Sequence, residues 1–148
     1  MDIAGFMNYV SQNYDYGKKR DDELHKIFCK YARDAFSIHY LNNNYKIKPS
    51  VGIGNRSEIP WVAIFDKRIS TKASEGVYIV YLFTSDYSKV YLSLNQGWEY
   101  FNRKYGKDAN KYVYRVSEFW RDKMGSYDGI TDKLFDIIHH KGAFYYGN

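Results

Sequence analysis

The sequence has one cysteine and two prolines in 148 residues, and no apolar run near the 18 or more residues that a membrane-spanning helix needs. A single thiol excludes an internal disulfide framework, so stability must come from a packed core. Cys29 falls on the apolar stripe of a predicted helix, where a buried thiol is expected. The first ten residues carry an acid, Asp2, and lack the basic region and long apolar stretch of a secretory leader. A reducing, cytoplasmic setting without a membrane is therefore expected. Apolar residues at 45% and charged residues at 26% exclude disordered and collagen-like compositions, and the length predicts one domain over residues 1–148.

The familiar catalytic constellations are missing too. Gly52-Ile53-Gly54-Asn55 lacks the third glycine of a dinucleotide loop, and a strand follows where that motif needs a helix. No glycine-rich loop ends in Lys-Ser or Lys-Thr. His25, His39, His139 and His140 lack metal-ligand spacing, and no serine sits in a nucleophile elbow. Asp66-Lys67 at a strand end is the nearest thing to a nuclease fragment, without a second acid at the right spacing. No catalytic residue, metal or cofactor is expected.

What is abundant is aromatic: 17 Tyr, 9 Phe and 3 Trp make 20% of the chain. Tyrosine combines an apolar ring with a polar tip and suits half-wet surfaces as well as cores. Charge is modestly positive, +5, and unevenly placed. Residues 1–44 carry six charges of each sign, residues 45–97 seven positive and four negative, and residues 98–148 nine and seven. The densest basic run, Arg103, Lys104, Lys107, Lys111 and Arg115, is interrupted only by Asp108. It reads equally as a solvated helix face or as a phosphate-contacting stripe.

Hydrophobic periodicity divides the chain into three zones. In the helical zone 1–44, Ile3, Phe6, Met7 and Val10 fall at helical spacing. A polar turn at 16–20 follows, then a second stripe of Leu24, Ile27, Phe28, Tyr31, Ala35 and Ile38. Zone 45–97 reads as sheet: Tyr45 and Ile47 alternate with polar residues, and the runs Trp61–Phe65, Val77–Phe83 and Val90–Leu94 are β-branched and aromatic. Run 77–83 is apolar on both faces, which predicts a central strand covered on each side. The link Thr84–Ser88 is short enough for an antiparallel hairpin. Zone 98–148 returns to helix, with Tyr112, Val113, Val116, Phe119 and Trp120 at helical spacing and a further candidate around Ile130, Leu134, Ile137 and Ile138. The expected fold is α+β, a mostly antiparallel or mixed central sheet flanked by N- and C-terminal helices.

The segment Val51 to Gly97 is the richest in chemistry. Gly52 to Ser57 form a polar, backbone-exposing loop leading into Ile59-Pro60-Trp61. Tyr78 and Leu82 lie two pleat repeats apart on one strand face and could wall a small pocket with Trp61, or all three could be core. The order Gly52-x-Gly54-Asn55-x-Ser57-x-Ile59-Pro60-Trp61, then Gly76-Val77-Tyr78-x-Val80 and Leu82, resembles the N-terminal DNA-reading domain of the McrB modification-dependent restriction systems. Asp66 to Thr71 and Val90 to Gly97 are similar to the wider McrB N-terminal-like family.

The resemblance implies a non-catalytic reader of double-stranded DNA carrying a 5-methylcytosine-type base, which it flips from the duplex into an aromatic pocket. It assigns Trp61, Tyr78 and Leu82 to the pocket. Ile53 stands where the best-known member has an aromatic residue, and is left the role of an apolar wedge. Gly52, Gly54, Asn55, Arg56 and Ser57 of the loop, with Lys67, Arg68 and Lys72, become the DNA backbone contacts. The chain would be the specificity domain of a prokaryotic restriction or defence system, with the nuclease or motor in a fused or separate component. The alternatives are an adaptor that binds a protein through its aromatic surface, and a small enzyme on an unfamiliar fold.

Overall fold

The computed structural model describes residues 1–15, 22–37, 43–52 and 57–125. Helix α1 spans Ile3–Asn13 and helix α2 spans Asp22–Ser37. The strands are β1 (Tyr45–Ser50), β2 (Trp61–Asp66), β3 (Val77–Phe83) and β4 (Val90–Gln96). Helix α3 (Trp98–Tyr105), a 3-10 turn (Gly106–Asp108) and helix α4 (Ala109–Met124) follow. The expected α+β architecture is what forms. The predicted helix around Ile130, Leu134, Ile137 and Ile138, and the expected loop residues Ile53, Gly54, Asn55 and Arg56, lie outside the described residues.

The sheet is an antiparallel meander in the order β1-β2-β3-β4. Each connection is a hairpin, so neighbours in sequence are neighbours in space. Edge strand β1 carries Lys46, Lys48 and Pro49, whose charges and missing amide discourage pairing with another chain. The β3–β4 turn is tied by Thr84, whose amide donates to the Lys89 carbonyl at 3.0 Å. Asp86 completes it, accepting from the Ser88 amide at 3.1 Å and the Ser88 hydroxyl at 2.8 Å.

Helices α1 and α2 cover one face. Asp2 caps α1 by accepting from the Gly5 amide at 2.7 Å. Phe6 and Val10, one helical turn apart, face inward against Phe28, Cys29, Ala32, Ala35 and Phe36 of α2 and against Val62, Ile64 and Phe83 of the sheet. Phe6 is the hub, with edge-to-face contacts to Phe28, Phe36 and Phe83 at centroid distances of 5.2, 6.0 and 6.1 Å. Cys29 is buried as expected, and burial pushes its thiol up, only partly opposed by Arg33.

Two expectations are corrected. Strand β3 is interior, but its helix-bearing face is only partly covered. The helices reach Tyr81 and Phe83, while Ile79, and on β4 Leu92 opposite Tyr81, stay exposed. Phe119, expected in the core stripe of the last helical zone, is also exposed, because α4 turns Ala109 and Ser117 inward instead. Helix α3 begins at Trp98, directly after Gly97.

Gly97 is where the sheet and the C-terminal helices meet. A Cβ there would stand 2.0 Å from the Glu75 amide nitrogen, so the β2–β3 loop backbone packs where a side chain would be. The Gly97 amide donates to Gly76 O at 2.9 Å and the Tyr100 amide to Ser74 O at 3.0 Å, which clamps that loop to the start of α3. Gly97→Ala is therefore expected to lower stability by about 1–3 kcal/mol, as forced overpacking does. Urea unfolding checks it; an unchanged midpoint would show that the clamp is dispensable.

Candidate nucleic-acid interface

Antiparallel pairing puts directly opposed residues on one face, so register decides what the second face of the sheet displays. Trp61 pairs with Leu82 and Ala63 with Val80. One step further, the Phe65 and Tyr78 rings lie 4.9 Å apart. Trp61 and Leu82 thus stand at one end, Phe65 and Tyr78 at the other, and Ala63 is the smallest side chain between them, a notch in side-chain length that is closed to solvent. The Trp61 and Tyr78 levels are separated by about 13 Å along the strands, at roughly 3.3 Å per residue.

Ile59, Ala63, Phe65, Tyr78, Val80 and Leu82 form one buried cluster, with Trp61 and Ala73 packed against it. Ala63 is 0% and Val80 2% exposed, so the floor of the notch is shielded, while Trp61 is half-buried at its rim. The three pocket residues expected from sequence therefore share one face. Tyr78 is held by its hydroxyl, which donates to Ala73 O at 3.2 Å, so the β2–β3 loop folds over this end of the face.

The flanking strands add what sequence reasoning missed. Lys46 and Lys48 on β1 pair with Phe65 and Ala63, and so border the notch on this face. Lys48 Nζ lies 5.9 Å from the centre of the Trp61 ring, within cation–π range. On the other side Ser93 pairs with Val80 and Asn95 with Tyr78, joined by a 3.0 Å hydrogen bond from Ser93 Oγ to Asn95 Oδ1. An apolar centre thus lies between a row of cations and a row of hydroxyl and amide groups. The period-two alternation of Lys46 and Lys48 with Tyr45 and Ile47 carried the signal for the lysines; without register it named no neighbour.

The expected loop contacts divide. Ser57 is structural: its amide donates to Val51 O at 2.6 Å, its carbonyl accepts from the Tyr14 hydroxyl at 2.6 Å, and its hydroxyl donates to Ile59 O at 2.8 Å. These bonds pin both stems of the glycine loop beside Trp61. Gly52 has φ +99°, a left-handed conformation that favours glycine, and its amide donates to Ser50 Oγ at 3.3 Å. Lys67, Arg68 and Lys72 sit beyond the opposite end of β2, about 17 Å away at roughly 3.3 Å per residue.

There Lys67 Nζ donates to Asn43 O at 2.8 Å, and Lys72 lies 3.9 Å from the Glu75 carboxylate. Arg68 is more committed. Its Nε and Nη2 grip Asp66 at 2.9 and 2.5 Å, and its side-chain and backbone donors hold the Asp66 carboxyl down at about 2. Asp86, held by Thr84 and Ser88, also lies at about 2.

The family model of the MrcB-like N-terminal domain matches residues 6–147. The chain belongs to that family. Membership supports a DNA-binding role in restriction systems, in keeping with the resemblance carried by the Gly52–Trp61 and Gly76–Leu82 motifs. No curated protein matches the sequence. Among the described residues of this MrcB-like domain, no three His, Cys, Asp or Glu side chains gather as a metal site, and no helix is long and apolar enough to cross a membrane.

The two depressed carboxyls set a pH dependence. Groups whose folded value lies below the ordinary 3.8 add stability that is full above about pH 4 and is lost as pH falls through about 2. Carboxyl NMR titration is expected to find both midpoints near 2, and Arg68→Gln to return Asp66 alone toward the ordinary range. A normal Asp66 midpoint in the parent protein would show that Arg68 is free.

Proposed function

We propose that this MrcB-like domain is a non-catalytic reader of modified DNA that takes a flipped 5-methylcytosine-type base against Trp61, Tyr78 and Leu82. It acts as the specificity part of a prokaryotic restriction or defence system whose nuclease or motor is a fused or separate component. The observation that carries the reading is the register. It gathers the three residues on one face, around the Ala63 notch and next to the pinned stems at Val51 and Ser57.

Each part has a task. Unstacking a base costs a few kcal/mol, which stacking and edge hydrogen bonds must offset. Trp61 supplies a π-face at the rim, Leu82 and Val80 supply apolar contact for a C5 methyl group, and Ser93 and Asn95 supply polar groups nearby. Ile53 enters the vacated stack as an apolar wedge, beside Gly54, Asn55 and Arg56. Lys46, Lys48, Lys67 and Lys72 meet phosphates on either side of the base, whereas Arg68 is compensated by Asp66. Because the floor is buried in the unbound protein, a base must displace what lies over it.

Titration of a duplex with one 5-methylcytosine against its unmodified twin tests the reading, with 5-hydroxymethylcytosine, N4-methylcytosine and N6-methyladenine alongside. The modified duplex is expected to bind more tightly, and Trp61→Ala to weaken it by about 5- to 150-fold, the value of one base–aromatic stack. A thermal melt of Trp61→Ala confirms that the variant is folded. Equal binding to every duplex sinks the reading. Exposed Leu92, Trp98 and Phe119 favour the second reading, a protein adaptor, which predicts no DNA affinity even at low salt.

A further inference from the structure

The basic run of the C-terminal half takes a definite shape in the fold. Arg103, Lys104, Lys107, Lys111 and Arg115 span the end of α3, the 3-10 turn and the first half of α4, and all five are exposed. None makes an ion pair with a described residue, although Asp108 lies among them in sequence. Uncompensated cations at this density repel one another, a cost that an anionic partner relieves.

The surface beneath them is rigid. Tyr105 and Tyr112 stack across the turn at 3.7 Å with 13° between their planes, which fixes α3 against α4. Lys104 Nζ lies 5.4 Å over the Tyr105 ring and the Arg115 guanidinium 5.6 Å over the Tyr112 ring, so two of the cations are held in place. Lys104 also donates to the Tyr100 hydroxyl at 2.9 Å. Pre-ordered charges lose less freedom when a partner binds.

This ledge is joined through the chain to the loop beside the candidate base site, while α4 itself docks on Gln96, whose Nε2 donates to Ser117 Oγ at 2.7 Å. Tyr100, which holds Lys104, donates its amide to Ser74 O, and Ser74 belongs to the same loop as Lys72 and as Ala73, whose carbonyl anchors Tyr78. The loop that carries Lys72 and the helices that carry the ledge are thus fastened to each other through Ser74 and Tyr100. We infer that the α3–α4 ledge is a second contact with the duplex, one that grips phosphates without reading sequence and holds the DNA while the pocket samples a base. The inference rests on the DNA-reading function proposed above. Exposed cations, two of them held over tyrosine rings, match a polyanion, and the DNA-reading function makes the duplex backbone that polyanion rather than an acidic protein.

Salt dependence of binding by the full chain tests it. Neutralising cations that each meet one phosphate reduces the slope of log affinity against log salt by about 0.9 per contact. K107Q/K111Q, both exposed, is expected to make the slope shallower by about two and to weaken modified and unmodified duplexes by the same factor. Its melting temperature and modified-to-unmodified ratio should stay at the parent values. The matched control K26Q/K30Q, on exposed positions of α2, should leave the slope alone. An unchanged slope in K107Q/K111Q, an equal change in the control, or tighter binding of polyglutamate than of duplex overturns the ledge while leaving the base reader standing. No binding of the parent chain to either duplex at low salt overturns both.

Discussion

The pairing of β2 with β3 is the constraint on which the rest of the molecule depends. Trp61 opposite Leu82 sends Val62, Ile64 and Phe83 toward the helices and Ala63, Phe65, Tyr78 and Val80 to the other face. A slip of one residue would exchange the two sets, exposing the contacts of Phe6 and burying the candidate site under α1 and α2. Both faces of these strands are apolar, so hydrophobicity by itself tolerates either arrangement. What separates them is shape: Phe6 needs Phe83 beside Phe28 and Phe36.

The two ends of the sheet are built for different tasks. At one end Tyr14, Val51 and Ser57 fasten the glycine loop to α1, and the Tyr14 ring packs edge-on against Tyr87 of the β3–β4 turn at 4.9 Å. The stems are therefore fixed close to Trp61 whatever the loop between them does. At the other end the β2–β3 loop is clamped by Gly76, Gly97 and Tyr100, which sets the roof over Tyr78 and joins it to the C-terminal helices. The candidate site is thus suspended between two fastened ends of the sheet.

Charge follows the same division. The helices on the first face carry balanced charge, and the surplus lies on β1, the β2–β3 loop and the α3–α4 ledge. Within that surplus not every cation is equivalent. Arg68 is spent on Asp66 through a two-pronged contact, whereas Lys107, Lys111 and Arg103 have no described carboxylate partner. Counting basic residues in a segment overstates its reach toward phosphate wherever such internal pairs occur.

The sequence by itself determined the α+β class, the four strands close to their observed limits, the burial of Cys29, and the membership that the glycine loop and the Gly76–Leu82 run announced. Those features are local: strand alternation, helical stripes and motif spacing are written in residues a few positions apart. Phe119 escaped it, since a helical stripe names an apolar face without saying what that face meets. Only the tertiary structure decided that Ala63 forms the notch, that Lys46 and Lys48 border it, that Ser57 is a fastening and Arg68 a paired charge, and that α3 is fastened to the loop beside Tyr78. Each of these depends on which residue lies across a strand or a loop from which, and such long-range pairing is settled by packing of the whole chain.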